Sequence, residues 1–312
     1  MMLLCGQGFA EGAMRAWSVG EVLWDVFPDE EKFGGAPLNF CANLRRMGDE
    51  ATLLSAVGDD EHGRLALETM RGLELSTDHV SVIAGVATGT AVITTGVDGE
   101  ASFVIPRPAA FDRLAMGPEL MSEAAASGLD WLYFGTLLQT EPAIEEFTTA
   151  LAKGLPATRC FYDMNLRTGH WNLELVQRLS KLASIIKLNE HEAEILFKLT
   201  ETGGAAFSLE AFCESWAAKY GVDVMCVTLG PLGCLIYEQG TAHRVPGYAV
   251  TVCDTVGSGD AFAAAFLHGY DLGWPMLETA KFANALGALV ASRAGATPEW
   301  TVDEVQEIVN RK

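Results

Sequence analysis

The chain has 312 residues, 49% of them hydrophobic, and its 41 acidic against 21 basic side chains give a net charge of −20. That length and apolar content can bury one large core, while the acidic balance, without a run of Lys or Arg, argues against nucleic-acid binding, whose affinity comes from neutralised phosphates. The seven cysteines show no CxxC or zinc-like spacing, which points to reduced core thiols and a cytoplasmic location, and no apolar stretch reaches the roughly 18 residues of a membrane span.

Residues 1–13 lack the charged start and long apolar stretch of a signal peptide and read as a loose extension. A first strand is expected over 16–26, with turn signals at Pro28-Asp29, then a helix over 37–47 that stops at Gly48. A strand over 51–57 and a helix over 61–71 follow. The β-rich runs 90–96 and 101–105, joined around Asp98-Gly99, read as a hairpin. Beyond it, strands at 131–134, 160–163, 185–188 and 224–228 alternate with helices at 141–151, 173–182, 191–199 and 209–220. Two more helices start near Gly259 and span 276–292. Strand–helix alternation implies an α/β fold, with a doubly wound, mostly parallel sheet flanked by helices and its ligands beyond the carboxyl ends of the strands. The hairpin breaks that pattern. Together with the segment around Trp24 it is expected to form a small β-sheet lid, from about 21–34 and 88–112, on one domain spanning 14–312.

The most telling stretch is Asp254-Thr255-Val256-Gly257-Ser258-Gly259-Asp260, just before the apolar run that opens at Ala261. Gly257 and Gly259 allow close backbone approach, and the free amides at a helix start make an anion site. Asp260 puts a base at the edge of that site, which suggests phosphoryl transfer to an alcohol; a plain turn with a capping aspartate is the simpler alternative. Far upstream, Gly34-Gly35-Ala36-Pro37-Leu38-Asn39 joins the expected lid to a helix, suiting a polyhydroxylated ligand or merely a tight turn with Pro37 at the first helical position. Asp25 is a further hydroxyl acceptor or an exposed strand-end acid.

Three segments follow strands at the end where such sheets bind ligands. In Asp163-Met164-Asn165-Leu166-Arg167, Arg167 either counters phosphoryl charge or pairs with Asp163. Asn189 and Glu192 stand three apart, like a helix cap and its reciprocal partner; they equally suit the waters of a nucleotide-bound Mg²⁺. Thr228, Gly230 and Gly233 offer backbone to a nucleotide, or simply a turn. There is no GxxxxGK[ST] loop, GxGxxG fingerprint, GxSxG elbow or HExxH pair.

Taken together, these motifs resemble the ribokinase/PfkB carbohydrate kinase family from about Trp17 to the C-terminus. The GG-x-x-x-N element (Gly34, Gly35, Asn39) and the D-T-x-G-x-G-D element (254–260) stand at the two ends, with D-x-N-x-R, N-x-x-E and T-L-G-x-x-G in the family's order between them. Gly20-Glu21-Val22-Leu23-Trp24-Asp25 and Arg107-Pro108-Ala109-Ala110-Phe111-Asp112 are similar to fructokinases within the family. Met164, where the family often has proline, and Ile105-Pro106, where an aromatic is common, depart from it. The resemblance implies a ribokinase-like fold and an ATP-dependent sugar kinase with Asp260 as base and the amides of 257–260, Gly257, Ser258 and Gly259 among them, as the anion hole. It puts Asp25, Gly34, Gly35, Asn39 and Arg107 on the sugar, and Asn189, Glu192, Thr228, Gly230, Gly233 and Asn284 on the ATP and Mg²⁺ side. Members often bind a monovalent cation, usually K⁺, beside the anion hole; Asp254, Val256 and the loop 292–296, with Gly295, match that region, and cation dependence stays open. Fructose is the expected acceptor, with ribose or 2-keto-3-deoxygluconate as alternatives, or a silent sugar- or nucleotide-binding protein on the same scaffold. Lids of the family often pair between subunits, so the resemblance implies a homodimer.

Overall fold

A computed structural model of the chain describes residues 13–27, 29–95 and 101–311. The expected extension, save its last residue, and the turn at Asp98-Gly99 lie outside the described residues. The chain starts with β1 (Arg15–Val19), crosses to β2 (Leu23–Val26) and β3 (Glu31–Gly34), and returns through α1 (Ala36–Met47), β4 (Glu50–Gly58), α2 (Glu61–Gly72) and β5 (Val80–Ile83). Next come β6 (Gly89–Thr95), β7 (Ala101–Val104) and α3 (Pro118–Ser127). A regular alternation follows: β8 (Trp131–Gly135), α4 (Pro142–Gly154), β9 (Arg159–Asp163), α5 (Leu173–Ser180), β10 (Ile185–Asn189), α6 (Glu190–Thr200), α7 (Leu209–Tyr220) and β11 (Val224–Thr228). The chain closes with β12 (Cys234–Glu238), β13 (Thr241–Val245), α8 (Ser258–Asp271), α9 (Met276–Ala291) and α10 (Val302–Val309).

Among the described residues, nine strands form the large sheet in the order β13-β12-β11-β10-β9-β8-β1-β4-β5, parallel from β11 to β5 and antiparallel at the β13 edge. Neighbouring residues of its central strands face opposite layers, as a pleated strand requires. Tyr133, Phe161 and Ile185 pack with Phe40 of α1 and with Ala261, Phe262 and Phe266 of α8. Phe134, Tyr162 and Ile186 pack on the other side with Leu151, Leu179 and Trp216. With both faces covered, the strands read as continuous apolar runs.

The expected single strand over 16–26 is two strands in two sheets. The break falls at Gly20–Val22, after which β2 joins the small sheet, and Gly20 leaves room for the ring of Pro37, which a Cβ would strike. That sheet has four strands in the order β3-β2-β6-β7. Order in the large sheet reverses at β1: the chain goes one way to β4 and β5, and the other way from β8 to β13. A crevice opens beyond the carboxyl ends at such a switch point, and the segments after β1 and β9 lead into it with Glu21 and Arg167. The expected helices recur to within about three residues; β5, α3, β12, β13 and α10 are not among the expected elements, although the Thr301–Glu304 capping box and the helical spacing of Val302, Val305, Ile308 and Val309 mark α10 in the sequence.

Candidate active site

Helix α8 begins with Gly257 as its cap, at φ 78° in the left-handed region. A Cβ there would overlap the Ala296 carbonyl, so the turn needs glycine for space as well as conformation. The Ser258 amide donates to Thr255 O at 3.3 Å, a turn bond at the helix start. The amides of Gly259 and Asp260 still lie in the first turn, without intrahelical acceptors and at the positive end of the dipole.

Asp260 is the point where the two glycine elements meet. Its Oδ2 accepts from Asn39 Nδ2 at 2.7 Å, across 221 residues of sequence. Asn39 is buried, and its Oδ1 has no partner among the described residues. Gly35, at φ 126°, has no room for a Cβ, which would strike the Glu21 carbonyl. At Gly34 a Cβ would project between Asp25 Oδ2 at 3.6 Å and Asn39 Nδ2 at 3.9 Å, so the missing side chain leaves an open space edged by polar atoms. Glu21, Asp25, Gly35, Asn39, Arg167, Val256, Gly257 and Asp260 line one pocket of about 220 Å³, roofed by Leu23, Ala91 and Ile105 of the small-sheet region.

Burial pushes the Asp260 carboxyl up to about 6, against the attraction of Lys187 and the hydrogen bond from Asn39. Burial pushes Glu21 up to about 7, with Arg167 opposing and the Asp260 charge adding to it. Asp25 is raised for the same reason, desolvation outweighing Arg167 and Lys32. Three carboxyls that resist ionisation share this pocket with one guanidinium, an arrangement typical of a site that moves a proton near neutral pH.

Two groups here belong to no motif of the sequence: Glu21 stands merely within Gly20–Asp25, and Lys187 merely ahead of Asn189. Lys187 is buried in β10 opposite Asp163 of β9. Its Nζ donates to Asp163 Oδ1 at 3.0 Å and Oδ2 at 2.8 Å, while Tyr133 donates to Oδ2 at 3.1 Å. Asp163 therefore pairs with Lys187, not Arg167. Burial pushes Lys187 down, but the carboxylates of Asp163 and Asp260 outweigh it and hold the ammonium above its usual range. A Cβ on Gly259 would lie 3.4 Å from Lys187 Nζ, so this charge backs the amide end of α8. A lysine in the middle of an apolar strand was the available signal, since such a charge stays buried only when paired.

Other expected residues are placed as follows. Asn189 and Glu192 form the capping box: Asn189 Oδ1 accepts the Glu192 amide at 2.9 Å and Glu192 Oε2 the Asn189 amide at 2.8 Å. Glu192 Oε1 also accepts the Leu166 amide at 2.7 Å, tying the segment after β9 to the start of α6. Thr228 ends β11 in register with Asn189, and Gly230 and Gly233 turn the chain with φ of 58° and 98°. Asn284 Nδ2 holds the carbonyls of Val245 and Pro246, at 3.1 and 3.2 Å. Arg107 departs from the expected sugar contact. It does not line the pocket, because its guanidinium is bound to Asp112, to Glu141 at 3.0 Å and to Leu137 O at 3.2 Å. Asp254 holds the Val256 amide at 3.1 Å, the Gly295 amide at 3.4 Å and Lys32 Nζ at 2.9 Å.

The sequence profile described as pfkB family carbohydrate kinase matches residues 17–302. Fructokinase-1 of Oryza sativa subsp. japonica is 32% identical over 278 residues, 85% of this chain and 84% of its own. Fructokinase-1 of Zea mays is 30% identical over 328 residues, 97% and 99% respectively. Among solved structures, a fructokinase from Xylella fastidiosa with bound ATP superposes at a TM-score of 0.82 and 22% identity, covering 95% of this chain and 98% of that one. A fructokinase from Vibrio cholerae O395 with fructose, ADP and calcium gives 0.80 and 23% over 95% and 99%. These likenesses give the ribokinase-like fold. The chain belongs to the pfkB family of carbohydrate kinases.

Proposed function

We propose that this carbohydrate kinase transfers the γ-phosphoryl group of MgATP to a primary hydroxyl of fructose, with Asp260 as the base. The observation that carries the reading is the 2.7 Å hydrogen bond that brings Asn39 and Asp260 into one pocket at the start of α8. Asp25, the Gly34–Gly35 backbone and the unpartnered Asn39 Oδ1 would receive the sugar hydroxyls. The fructokinase names of the relatives support fructose.

In the step itself, the hydroxyl oxygen forms a bond to the γ-phosphorus as the bridging bond to ADP breaks, and the hydroxyl proton passes to Asp260. The amides of Gly259 and Asp260, with Arg167, hold the charge spreading over the phosphoryl oxygens. Positioning and electrostatics supply the acceleration. Magnesium, bound to the nucleotide phosphates, would offset their charge; among the described residues no group of three or more His, Cys, Asp or Glu is set to hold an ion. Asn189 and Glu192 fit contact through water, because each Glu192 oxygen accepts one amide and keeps a second lone pair. Thr228, Gly230, Gly233 and Asn284 complete the nucleotide side of the reading. The small sheet acts as a lid that excludes water and protects ATP from hydrolysis. A homodimer paired through its lids and a cytoplasmic location belong to the same reading; among the described residues no helix is long and apolar enough to cross a membrane.

The test is ADP release with fructose, ribose, 2-keto-3-deoxygluconate and adenosine. Preferential turnover of fructose supports the proposal. Preference for another sugar would reassign the acceptor, and ligand-induced stabilisation with no ADP from any of the four would make the chain a binding protein.

A further inference from the structure

The surroundings of Asp254 do not fit the free monovalent cation that the family resemblance implies. Its Oδ1 accepts a backbone amide, and the donor on Oδ2 is a full positive charge. Lys32 Nζ donates to Asp254 Oδ2 at 2.9 Å, and the pair is largely sequestered, with side-chain exposures of 24% and 14%. The Val256 and Gly295 amides donate to the same carboxylate, so the backbone turns N–H groups toward it. Lys32 is fixed from its own side as well, by Glu30 at 3.1 Å and by the Phe27 ring 5.0 Å below its ammonium. An alkali ion brought to Asp254 would face a like charge a few ångströms away, or would have to expel it.

We propose that Lys32 is a tethered replacement for that cation. Its ammonium neutralises Asp254, which in turn gathers the Val256 and Gly295 amides, and those two residues flank Gly257 and the Ala296 carbonyl packed against it. Lys32 is thus a positioning residue for the turn that opens α8. Because it belongs to β3, the small sheet and the phosphate-binding turn are organised together. The inference rests on the sugar-kinase reading for its rate measurement only.

The experiment compares the full chain and Lys32→Gln in alkali-free tetramethylammonium buffer, with and without KCl at matched ionic strength, by ADP release with fructose and by thermal unfolding. The wild-type rate should be indifferent to KCl. Lys32→Gln should lose kcat about tenfold or more without KCl, the scale of a misplaced anion site, and KCl should restore it. KCl should also raise the unfolding midpoint of Lys32→Gln and leave that of the wild type unchanged, a readout that stands even if none of the sugars is turned over. Lys32→Arg, which keeps the tethered charge, should behave as wild type. Activation of the wild type by K⁺ would overturn the proposal, as would a Lys32→Gln variant that is fully active without K⁺. So would one whose loss of rate or stability KCl leaves unrepaired.

Discussion

Replacing Asp260 by Asn should separate the energetic cost of holding the base from its use. The Asp260 carboxyl is raised from 3.8 to about 6, chiefly by burial. A gap of about two units corresponds to roughly 3 kcal/mol, at 1.36 kcal/mol per unit. Between the two values the folded chain keeps a proton that the unfolded chain has released. Stability therefore falls as pH rises through that window, and the whole penalty is present above about pH 6. Asparagine has no charge to desolvate, and its side-chain oxygen can still accept from Asn39. Asp260→Asn should then be about 3 kcal/mol more stable than wild type near pH 8, with the gain fading below about pH 4. A chain of 312 residues unfolds with an entropy of roughly 0.65 kcal/mol/K, so the midpoint should rise by about 4–5 °C. Calorimetry of both proteins across this pH range measures the gain, while kcat should fall by roughly two or more orders of magnitude. Equal midpoints near pH 8 would refute the claim that the acid is held desolvated, and an unchanged kcat would remove it from the role of base.

Other perturbations test neighbouring parts of the argument. In the wild type, kcat/KM should decline as pH drops through about 6, where Asp260 takes up its proton; a profile flat down to pH 5 would dissociate that group from the rate. Gly257→Ala forces a Cβ into the Ala296 carbonyl at a left-handed φ, and kcat/KM for ATP should fall on the order of a hundredfold; ordinary kinetics would clear the turn of phosphate binding. Lys187→Met strands the buried Asp163 carboxylate and should cost about 3–5 kcal/mol in urea unfolding, much of it recovered when Asp163→Asn is added; no recovery would mean that the pair is not the source. Arg107→Ala should destabilise by about 3 kcal/mol through loss of the Asp112 pair, with the sugar KM nearly unchanged. A large rise in that KM in a well-folded variant would return Arg107 to the sugar site.

Much of the fold was legible because its periodic signals are local. The apolar runs of β8 to β11 and their intervening helices carry their own spacing, and glycines mark the helix ends. At Gly20 the sequence offers a glycine inside a strand-like run, a mark of close approach, but that Pro37 is what approaches, and that β2 joins a different sheet, only the fold decides. Arg107 reads as a ligand contact in the sequence, and only the fold shows its guanidinium closing on Asp112 and on Glu141, 34 residues further on.

The candidate site divides in the same way. Sequence by itself determined the chemistry available: two glycine elements that need bare backbone, an acid opening an apolar helix, and a capping pair after a parallel strand. These depend on conformations that a few adjacent residues dictate. Tertiary structure decided which groups face one another, because register and crossover set that, not spacing. Parallel pairing of β9 with β10 puts Lys187 on Asp163. Folding of β3 beside the turn before α8 puts Lys32 on Asp254. Burial shared by Glu21 and Asp260 tunes both carboxyls at once, and desolvation is a property of the assembled core that no stretch of sequence carries alone.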